Sequence, residues 1–143
     1  MALKQIEHGS EDYRQMVSLR NEILRKPLGL SFDPDELDQE KDDVLIGAFE
    51  DGKILGCCML TRINNSTCRL RQMAVDARLQ RKGVGHALMN FAENLARDYG
   101  FKTLMMHARK TAVGFYEKQG YRVSGEEFIE VTVPHHVMEK RLI

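Results

Sequence analysis

Apolar and polar positions along the N-terminal part of the chain predict a strand followed by a helix. Residues 2–8 (ALKQIEH) are typical of a short first strand, and Ser10 stands before an acidic pair, as an N-cap does. The helix carries one apolar face and ends before Pro27 and Gly29. The polar segment 31–38 then predicts a loop with at most a short helix.

Three consecutive strands joined by tight turns are predicted next. Residues 44–50 (VLIGAFE) and 53–63 (KILGCCMLTRI) are apolar, and Asp51-Gly52 between them is a strong hairpin signal. The turn 64–66 separates them from 67–76 (TCRLRQMAVD), where side chains alternate between two faces. Because short turns join antiparallel neighbours, we expect an antiparallel meander.

The longest amphipathic segment begins near Gly83 and ends at Tyr99, with Gly100 as its C-terminal cap. A strand is predicted at 103–108 (TLMMHA), and crossover handedness places it parallel to the strand that ends at Asp76. These elements form a central βαβ crossover.

A second helix is predicted from Thr111 to Gln119, before Gly120. Strands follow at 126–133 and 137–142, and Pro134-His135-His136 lies between them. The fold class is therefore α/β, with a mixed α+β sheet, and residues 1–143 are predicted to form a single domain.

Composition limits the function classes. The chain has 43% hydrophobic and 29% charged residues, and 21 Lys plus Arg balance 21 Asp plus Glu, so no bulk attraction to nucleic acid or membranes is expected. No apolar run suits a signal peptide or a membrane span, which predicts a cytoplasmic protein. Of the three cysteines, Cys57 and Cys58 are adjacent on a strand and point to opposite faces, so neither a disulfide framework nor a metal site is expected.

The turn Gln80-Arg81-Lys82-Gly83-Val84-Gly85 predicts an anion site. The helix that follows contributes free N–H groups and the positive end of its dipole. The turn itself contributes two glycines and two cations, and this combination binds anions. A dinucleotide fingerprint is disfavoured because Leu88 replaces the third glycine, and no Walker spacing is present. A turn needed only for geometry would not require Gln80, Arg81 and Lys82, so we favour phosphate binding, with a diphosphate as the natural ligand.

Two motifs in order resemble the GNAT superfamily of acyl-CoA-dependent N-acyltransferases. They are Gln80-x-x-Gly83-x-Gly85 and, about 30 residues later, Ala112-x-x-Phe115-Tyr116-x-Lys118-x-Gly120-Tyr121. The likeness covers roughly residues 44–143 and implies a GNAT-type fold with acetyl-CoA as co-substrate. The run Gly125-Glu-Glu-Phe-x-Glu with Pro134-His135-His136-x-Met138 resembles a subset near the glucosamine-phosphate N-acetyltransferase-like proteins.

The resemblance implies a set of cofactor contacts. Backbone amides of the turn would hold the coenzyme A pyrophosphate, at Gln80, Arg81, Lys82, Gly83, Val84 and Gly85. The strand residues Met73, Ala74 and Val75 would pair with the pantetheine arm in a gap beside the strand 103–108, and one N–H there would stabilise the oxyanion. Phe115 and Lys118 are predicted to contact the cofactor, with core packing as the alternative for Phe115.

Tyr116 occupies the position of the family's catalytic tyrosine, whose hydroxyl protonates the departing thiolate. The alternative is that Tyr116 is a core residue of its helix. The strand before the turn offers Arg69, Arg71 and Gln72, with Asp76 only at its end, so no base can be transferred from the family. His136 and Glu127 are the candidates that we carry forward, from a set that also contains Glu126, Glu130 and His135. His107, in mid-strand, is expected in the core.

Cationic residues suggest where the acceptor binds. Arg20 and Arg25 are predicted on the substrate side, with a solvated helix face as the alternative, and Arg109 and His135 are further candidates for contact with the acceptor. Such residues favour an acceptor with an anionic group, although the sequence does not identify the amine. We expect a small-molecule amine as partner, neither nucleic acid nor membrane, and a homodimer is left open.

These features predict an enzyme that transfers the acetyl group of acetyl-CoA to a primary amine by direct attack in a ternary complex. A non-catalytic acyl-CoA-binding or sensing module is the alternative, because the strand carboxylate is missing. A nucleic-acid or general phosphate binder is a third interpretation, which zero net charge disfavours.

Overall fold

A computed structural model describes residues 1–143, and its strands form one seven-stranded mixed sheet. The strands are β1 (Ala2–Ile6), β2 (Val44–Glu50), β3 (Lys53–Arg62), β4 (Thr67–Val75), β5 (Thr103–Arg109), β6 (Arg122–Glu130) and β7 (Val133–Arg141). The α-helices are α1 (Glu11–Arg20), α2 (Pro34–Asp38), α3 (Val84–Asp98) and α4 (Val113–Lys118). None of these helices has the length and apolar character needed to cross a membrane.

The strand order is β1-β2-β3-β4-β5-β7-β6. Antiparallel pairing joins β1 to β2 and β2 to β3, and β4 pairs with β5 in parallel, so the N-terminal meander and the βαβ crossover are both confirmed. The C-terminal strands β5, β7 and β6 are antiparallel neighbours.

The first helix departs from an uninterrupted segment. Ser10 caps it as predicted, since its side chain accepts a hydrogen bond from the Tyr13 N–H. Beyond Arg20 the backbone continues as one π-helical turn, Asn21–Arg25, and one 3₁₀ turn, Lys26–Leu28. Pro27 lacks an N–H and cannot make the regular bond four residues back, which accounts for the irregular end.

The last two strands begin earlier than predicted. Strand β6 starts at Arg122, and β7 already contains Pro134, His135 and His136, which the sequence placed in the connection. The actual turn is Val131-Thr132, both with positive φ, and it closes a two-residue hairpin between Glu130 and Val133. The next pair, Ile129 and Pro134, is then not hydrogen-bonded, so the missing N–H of Pro134 costs nothing.

The chain divides into two compact units, which are described separately. The first contains Met1–Leu60 and Gln72–Ala92, and the second contains Thr61–Arg71 and Glu93–Ile143. The single-domain organisation of residues 1–143 stays a prediction.

The core of the first unit lies between α1 and the meander. It consists of Ile6, Tyr13, Met16, Leu19, Leu45, Phe49, Cys57, Met59 and Ala74. The apolar face that the sequence predicts for α1 supplies Tyr13, Met16 and Leu19 to this core, which is why the helix packs on the strands.

The second unit has a core made of one face of its strands and of buried side chains from α3 and α4. Its buried side chains include Cys68, Leu70, Ala96, Phe101, Leu104, Met106, Ala108, Tyr116, Tyr121, Met138 and Leu142. In β5 the buried residues are Leu104, Met106 and Ala108, so the alternate residues lie on the other, less covered face of the sheet.

Gly56 in β3 allows α3 to pack directly against the sheet of the first unit. A Cβ added there would lie 2.9 Å from both Leu88 Cδ1 and Val84 Cγ1, and 3.2 Å from the Ala74 carbonyl oxygen. We expect Gly56→Ala to lower the free energy of unfolding by about 1–3 kcal/mol through overpacking. Urea denaturation measures this change.

Gly114→Ala in α4 is the matched control, because an added Cβ meets no atom within 4 Å there. Its expected effect is neutral or slightly stabilising, since alanine favours a helix over glycine by about 1 kcal/mol. Equal stability of Gly56→Ala and the wild type would contradict the close packing of α3 on β3.

Candidate active site

The turn before α3 has the backbone of an anion site. Arg81 and Gly83 both adopt left-handed conformations, with φ of 69° and 87°. Lys82 between them does not share this conformation, and such an alternation turns successive backbone N–H groups toward one side, a concave arrangement that binds anions. Helix α3 follows immediately from Val84, so its first N–H groups and its positive dipole end lie at the same place.

The cationic side chains of this turn, Arg81 and Lys82, are exposed. The residues from Gln80 to Gly83 are exposed, and the Gln80 side chain reaches back to the Val75 carbonyl oxygen at 3.5 Å. Asp76 is instead engaged by Arg78, which lowers the pKa of the Asp76 carboxyl through a hydrogen bond. The predicted anion site thus retains Arg81 and Lys82 as exposed charges at the helix N-terminus.

Strand β4 contains an irregularity that the sequence analysis missed. Gln72 has a φ of 56°, a left-handed conformation in mid-strand, and its carbonyl oxygen accepts from the Cys57 thiol at 3.6 Å. The predicted pantetheine contacts Met73, Ala74 and Val75 follow directly, and Ala74 is buried. Neither composition nor alternation signals such a residue, because glutamine is not a typical left-handed residue.

Tyr116 is buried in the second unit, with 6% of its surface exposed. Its ring packs edge-on against Phe115 and Tyr121, at centroid distances of 5.1 and 6.1 Å. Helix α4 ends at Lys118, one residue before the predicted Gln119, and beyond Gly120 the Tyr121 N–H donates to the Tyr116 carbonyl oxygen at 3.1 Å. The tyrosine is therefore held by both its backbone and its ring.

A buried ion pair anchors the C-terminal end of α4. Glu93 accepts from the Tyr121 hydroxyl at 2.9 Å and from Lys140 at 3.1 Å, while Lys140 also donates to the Gln119 carbonyl oxygen at 2.8 Å. Burial and the neighbouring Glu93 charge raise the pKa of Tyr121, so its hydroxyl stays protonated and acts as a donor. Lys118 lies on the exposed side of the same helix.

The two candidate bases from the sequence lie close together. Three residues of β6, including Glu127, bulge opposite His136 of β7. The His136 Nε2 is 3.7 Å from Glu127 Oε1, but Lys110 already contacts that oxygen at 3.0 Å. Glu127 is therefore neutralised by a lysine, which weakens it as a partner for His136.

Arg20 lies in neither of the predicted environments, substrate side or solvated helix face, because its side chain is fully buried. Its terminal nitrogens donate to both oxygens of Glu40 at 2.7 and 2.6 Å, and the Tyr13 hydroxyl donates to the same carboxylate. Arg25 is partly exposed, stacks on Phe32 and pairs with Glu36 at 3.1 Å. The charge of Arg20 is thus used within the first unit.

His107 was expected in the core, and this expectation is wrong. Its side chain is 24% exposed and lies on the less covered face of β5, with Nδ1 3.0 Å from Glu130 Oε1 and 3.0 Å from an Arg69 nitrogen. Arg109, on the same face, lies opposite His135 in the register between β5 and β7. The structure thus brings together groups from three segments that lie far apart in the sequence.

The three thiols are buried. Cys57, Cys58 and Cys68 have 0% of their surface exposed and are free. Burial raises the pKa of Cys57 to about 12 and that of Cys68 to about 11, and it also raises the pKa of Cys58. A buried, protonated thiol is a poor nucleophile, which disfavours an acyl-cysteine route.

Two curated proteins of Bacillus subtilis (strain 168) resemble the chain in sequence. YjcF, which is named as an uncharacterized N-acetyltransferase, is 28% identical over 138 residues, which cover 94% of this chain and 96% of YjcF. YyaT is 30% identical over 81 residues, which cover 57% of this chain and 55% of YyaT. The match therefore spans about half the length of YyaT.

The fold matches a solved acetyltransferase. An aminoglycoside 6′-N-acetyltransferase complexed with coenzyme A has a TM-score of 0.85 and 15% identity, with 100% of this chain and 98% of that chain covered. The predicted GNAT-type fold is thereby confirmed.

Residues 31–142 match the family model described as an acetyltransferase (GNAT) domain. Acetyl-CoA is the co-substrate of that family. Because the match covers most of the sequence, the chain belongs to the GNAT acetyltransferase family.

Proposed function

We propose that this chain transfers the acetyl group of acetyl-CoA to a primary amine of a small molecule, by direct attack of the amine in a ternary complex. The observation that carries the proposal is the left-handed turn at Arg81 and Gly83 in front of α3, in a chain of the GNAT family. It supplies the diphosphate-binding element that acetyl-CoA requires.

Cofactor binding is assigned to the residues that the resemblance implies. The amides from Gln80 to Gly85 take the pyrophosphate, and the cations of Arg81 and Lys82 add to the positive dipole end of α3. The backbone from Met73 to Val75 pairs with the pantetheine arm, and Phe115 and Lys118 make further contacts.

Tyr116 is assigned as the acid that protonates the departing sulfur. As the amine nitrogen bonds to the thioester carbon and the carbon–sulfur bond breaks, the tyrosine hydroxyl gives its proton to the thiolate. Support comes from its position in the Phe115-Tyr116 motif and from the contacts with Phe115 and Tyr121 that hold its ring.

The acceptor contacts are assigned to Arg109 and His135 of the second unit, while the predicted role of Arg25, in the first unit, stays a separate proposal. Arg20 is left out because Glu40 neutralises it in a fully buried site. Guanidinium groups such as that of Arg109 favour an amine that also carries a carboxylate or a phosphate.

The experiment that tests the function is thiol release from acetyl-CoA with a panel of amino acids, amino sugars, polyamines and peptides. Amine-dependent turnover with formation of the acetylated amine is expected. Tight coenzyme A binding without turnover by any amine would instead support the acyl-CoA-sensing module. Salt-sensitive binding of phosphates without preference for coenzyme A would support the phosphate binder.

The double variant Arg81→Ser/Lys82→Ser is expected to raise the Kd for coenzyme A about tenfold or more, because two cations beside the diphosphate are lost. It should also reduce the salt dependence of binding, as measured by calorimetry at two ionic strengths.

Lys53→Ser is the matched control, since this exposed lysine lies at the start of β3 and is not part of the turn. An unchanged Kd in the double variant would remove Arg81 and Lys82 from the cofactor site.

A further inference from the structure

A cluster of interacting side chains lies on the less covered face of the second unit. Arg69 of β4, His107 of β5, Glu130 of β6 and His135 of β7 form it, and we call it the histidine cluster. Arg69 and His135 both lie near the Glu130 carboxylate, at 3.7 and 3.9 Å. Other charged groups on this face are Arg71, Arg109 and Glu139, placed there by strand alternation and register.

The contacts of His107 determine where its proton lies. Nδ1 is 3.0 Å from Glu130 Oε1, which only accepts, and 3.0 Å from an Arg69 nitrogen, which only donates. One ring nitrogen cannot serve both at once. Both bonds would have one ionised partner, but Arg69 also lies 3.7 Å from Glu130 and can pair with that carboxylate, so we place the Nδ1 proton toward Glu130. In the neutral ring this choice leaves the lone pair on Nε2.

The two histidine rings that lie near Glu130 both pack against Phe128. Phe128 contacts the His107 ring edge-on at 5.2 Å and stacks on His135 at 5.9 Å. His135 must carry its proton on Nδ1, because that nitrogen lies 2.9 Å from the Val133 carbonyl oxygen, which only accepts. Burial opposes ionisation of Glu130, but the hydrogen bond and charge of His107, with Arg69 and His135, lower the pKa of its carboxyl below the usual value.

His107 lies in the sheet just beyond the point where the pairing of β4 with β5 ends. The parallel ladder of β4 and β5 runs from Thr67 and Thr103 to Leu70 and Met106, and His107 is the next residue of β5. The GNAT resemblance implies that the reactive arm of the cofactor enters beside this strand. The ring is partly exposed, at 24%, so a ligand can reach it.

We propose that His107 is the base of the acetyl transfer and that Glu130 is its positioning residue. The proposal rests on the proposed acetyltransferase function. His107 Nε2 takes one proton from the ammonium group of the acceptor and becomes imidazolium, which the Glu130 carboxylate stabilises. The freed nitrogen lone pair forms the bond to the acetyl carbon, and the carbon–sulfur bond breaks.

Three further proton transfers complete the reaction. The sulfur takes the hydroxyl proton of Tyr116, and the second proton released by the nitrogen passes through water to restore that hydroxyl. The proton on His107 goes to solvent. One ammonium and one thioester thus give one amide, one thiol and one proton, without an oxidant or a metal.

Kinetics of His107→Gln with an accepted amine test the base directly. We expect kcat to fall about 10²–10⁴-fold, with an unchanged Kd for coenzyme A, and the decline of kcat/KM toward acid pH to move up to the pH at which the acceptor amine itself loses its proton. Added imidazole should restore activity to His107→Gly. His8→Gln in the first unit is the matched control, and it should keep the wild-type rate and pH profile.

Nitrogen-15 NMR of the histidine rings tests the positioning role. The neutral His107 ring should carry its proton on Nδ1 in the wild type and lose this preference in Glu130→Gln, while Glu130→Asp should retain part of the activity. A wild-type ring protonated on Nε2 would overturn the proposal whatever the kinetics show.

The failures of the two proposals are distinguishable. Absence of turnover with every amine overturns the proposed function and the base together. Turnover by the wild type with an unaffected His107→Gln rate, or with the acid decline of kcat/KM at its wild-type position in that variant, overturns the base alone. Loss of activity through loss of coenzyme A binding in His107→Gln likewise overturns it, since a base is not needed for binding.

Discussion

Replacement of Tyr116 by phenylalanine is expected to lower kcat for acetyl transfer about 10²–10⁴-fold, the range that general acid catalysis contributes. The substitution removes the hydroxyl and keeps the ring with its contacts with Phe115 and Tyr121. The Kd for coenzyme A and the midpoint of thermal unfolding should change little. Steady-state thiol release, calorimetry and thermal unfolding measure the three quantities.

Tyr99→Phe is the matched control for this variant. Tyr99 is 49% exposed, just beyond the end of α3, and belongs to no proposed site. Its variant should keep the wild-type kcat. A Tyr116→Phe enzyme that also keeps the wild-type kcat would show that Tyr116 is a packing residue of α4, the alternative left open by the sequence.

Glu40→Ala is expected to lower the free energy of unfolding by about 3–5 kcal/mol, because it leaves the Arg20 guanidinium buried without a counter-charge. Arg20 and Glu40 have 0% and 2% of their surfaces exposed, and the Tyr13 hydroxyl also depends on this carboxylate. Urea denaturation measures the loss, with an unchanged slope indicating that the unfolded state is not altered.

Two further variants show whether the loss comes from the unpaired charge. Glu36→Ala removes the partner of the less buried Arg25 and should cost less than about 1 kcal/mol. The double variant Arg20→Met/Glu40→Leu should recover much of the stability, because apolar residues of similar volume replace a buried pair at little cost. A Glu40→Ala protein as stable as the wild type would contradict the buried pair.

Element order could be predicted because its signals are local. Ser10 and Gly100 mark helix ends by their own chemistry, and the alternation in β4 and the periodicity of α3 need no partner. The hairpin at Val131 and Thr132 could not be predicted, since β-branched residues seldom adopt positive φ. Its position follows from the register of β6 against β7, which is a long-range property.

The residues of the candidate site also fall into two groups: those within one continuous segment, and those whose environment depends on distant parts of the chain. The turn from Gln80 to Gly85 is one continuous segment, so it was recognisable from the sequence as a candidate anion site. The burial of Arg20 was not recognisable, because it depends on Glu40, which lies 20 residues away on a separate helical turn. His107 was misplaced for the same reason: Glu130 and Arg69 reach it only after the four strands β4, β5, β7 and β6 have paired.

The buried cysteines can report unfolding through their native thiols, so no residue has to be introduced for the measurement. Cys57 and Cys58 belong to the first unit and Cys68 to the second, and none is exposed in the folded protein. A thiol reagent can therefore modify each unit only when that unit opens, at a rate set by its own opening free energy. Mass spectrometry of the separate peptides would give two protection factors from one sample, and the ratio of the two would measure how cooperatively the chain unfolds.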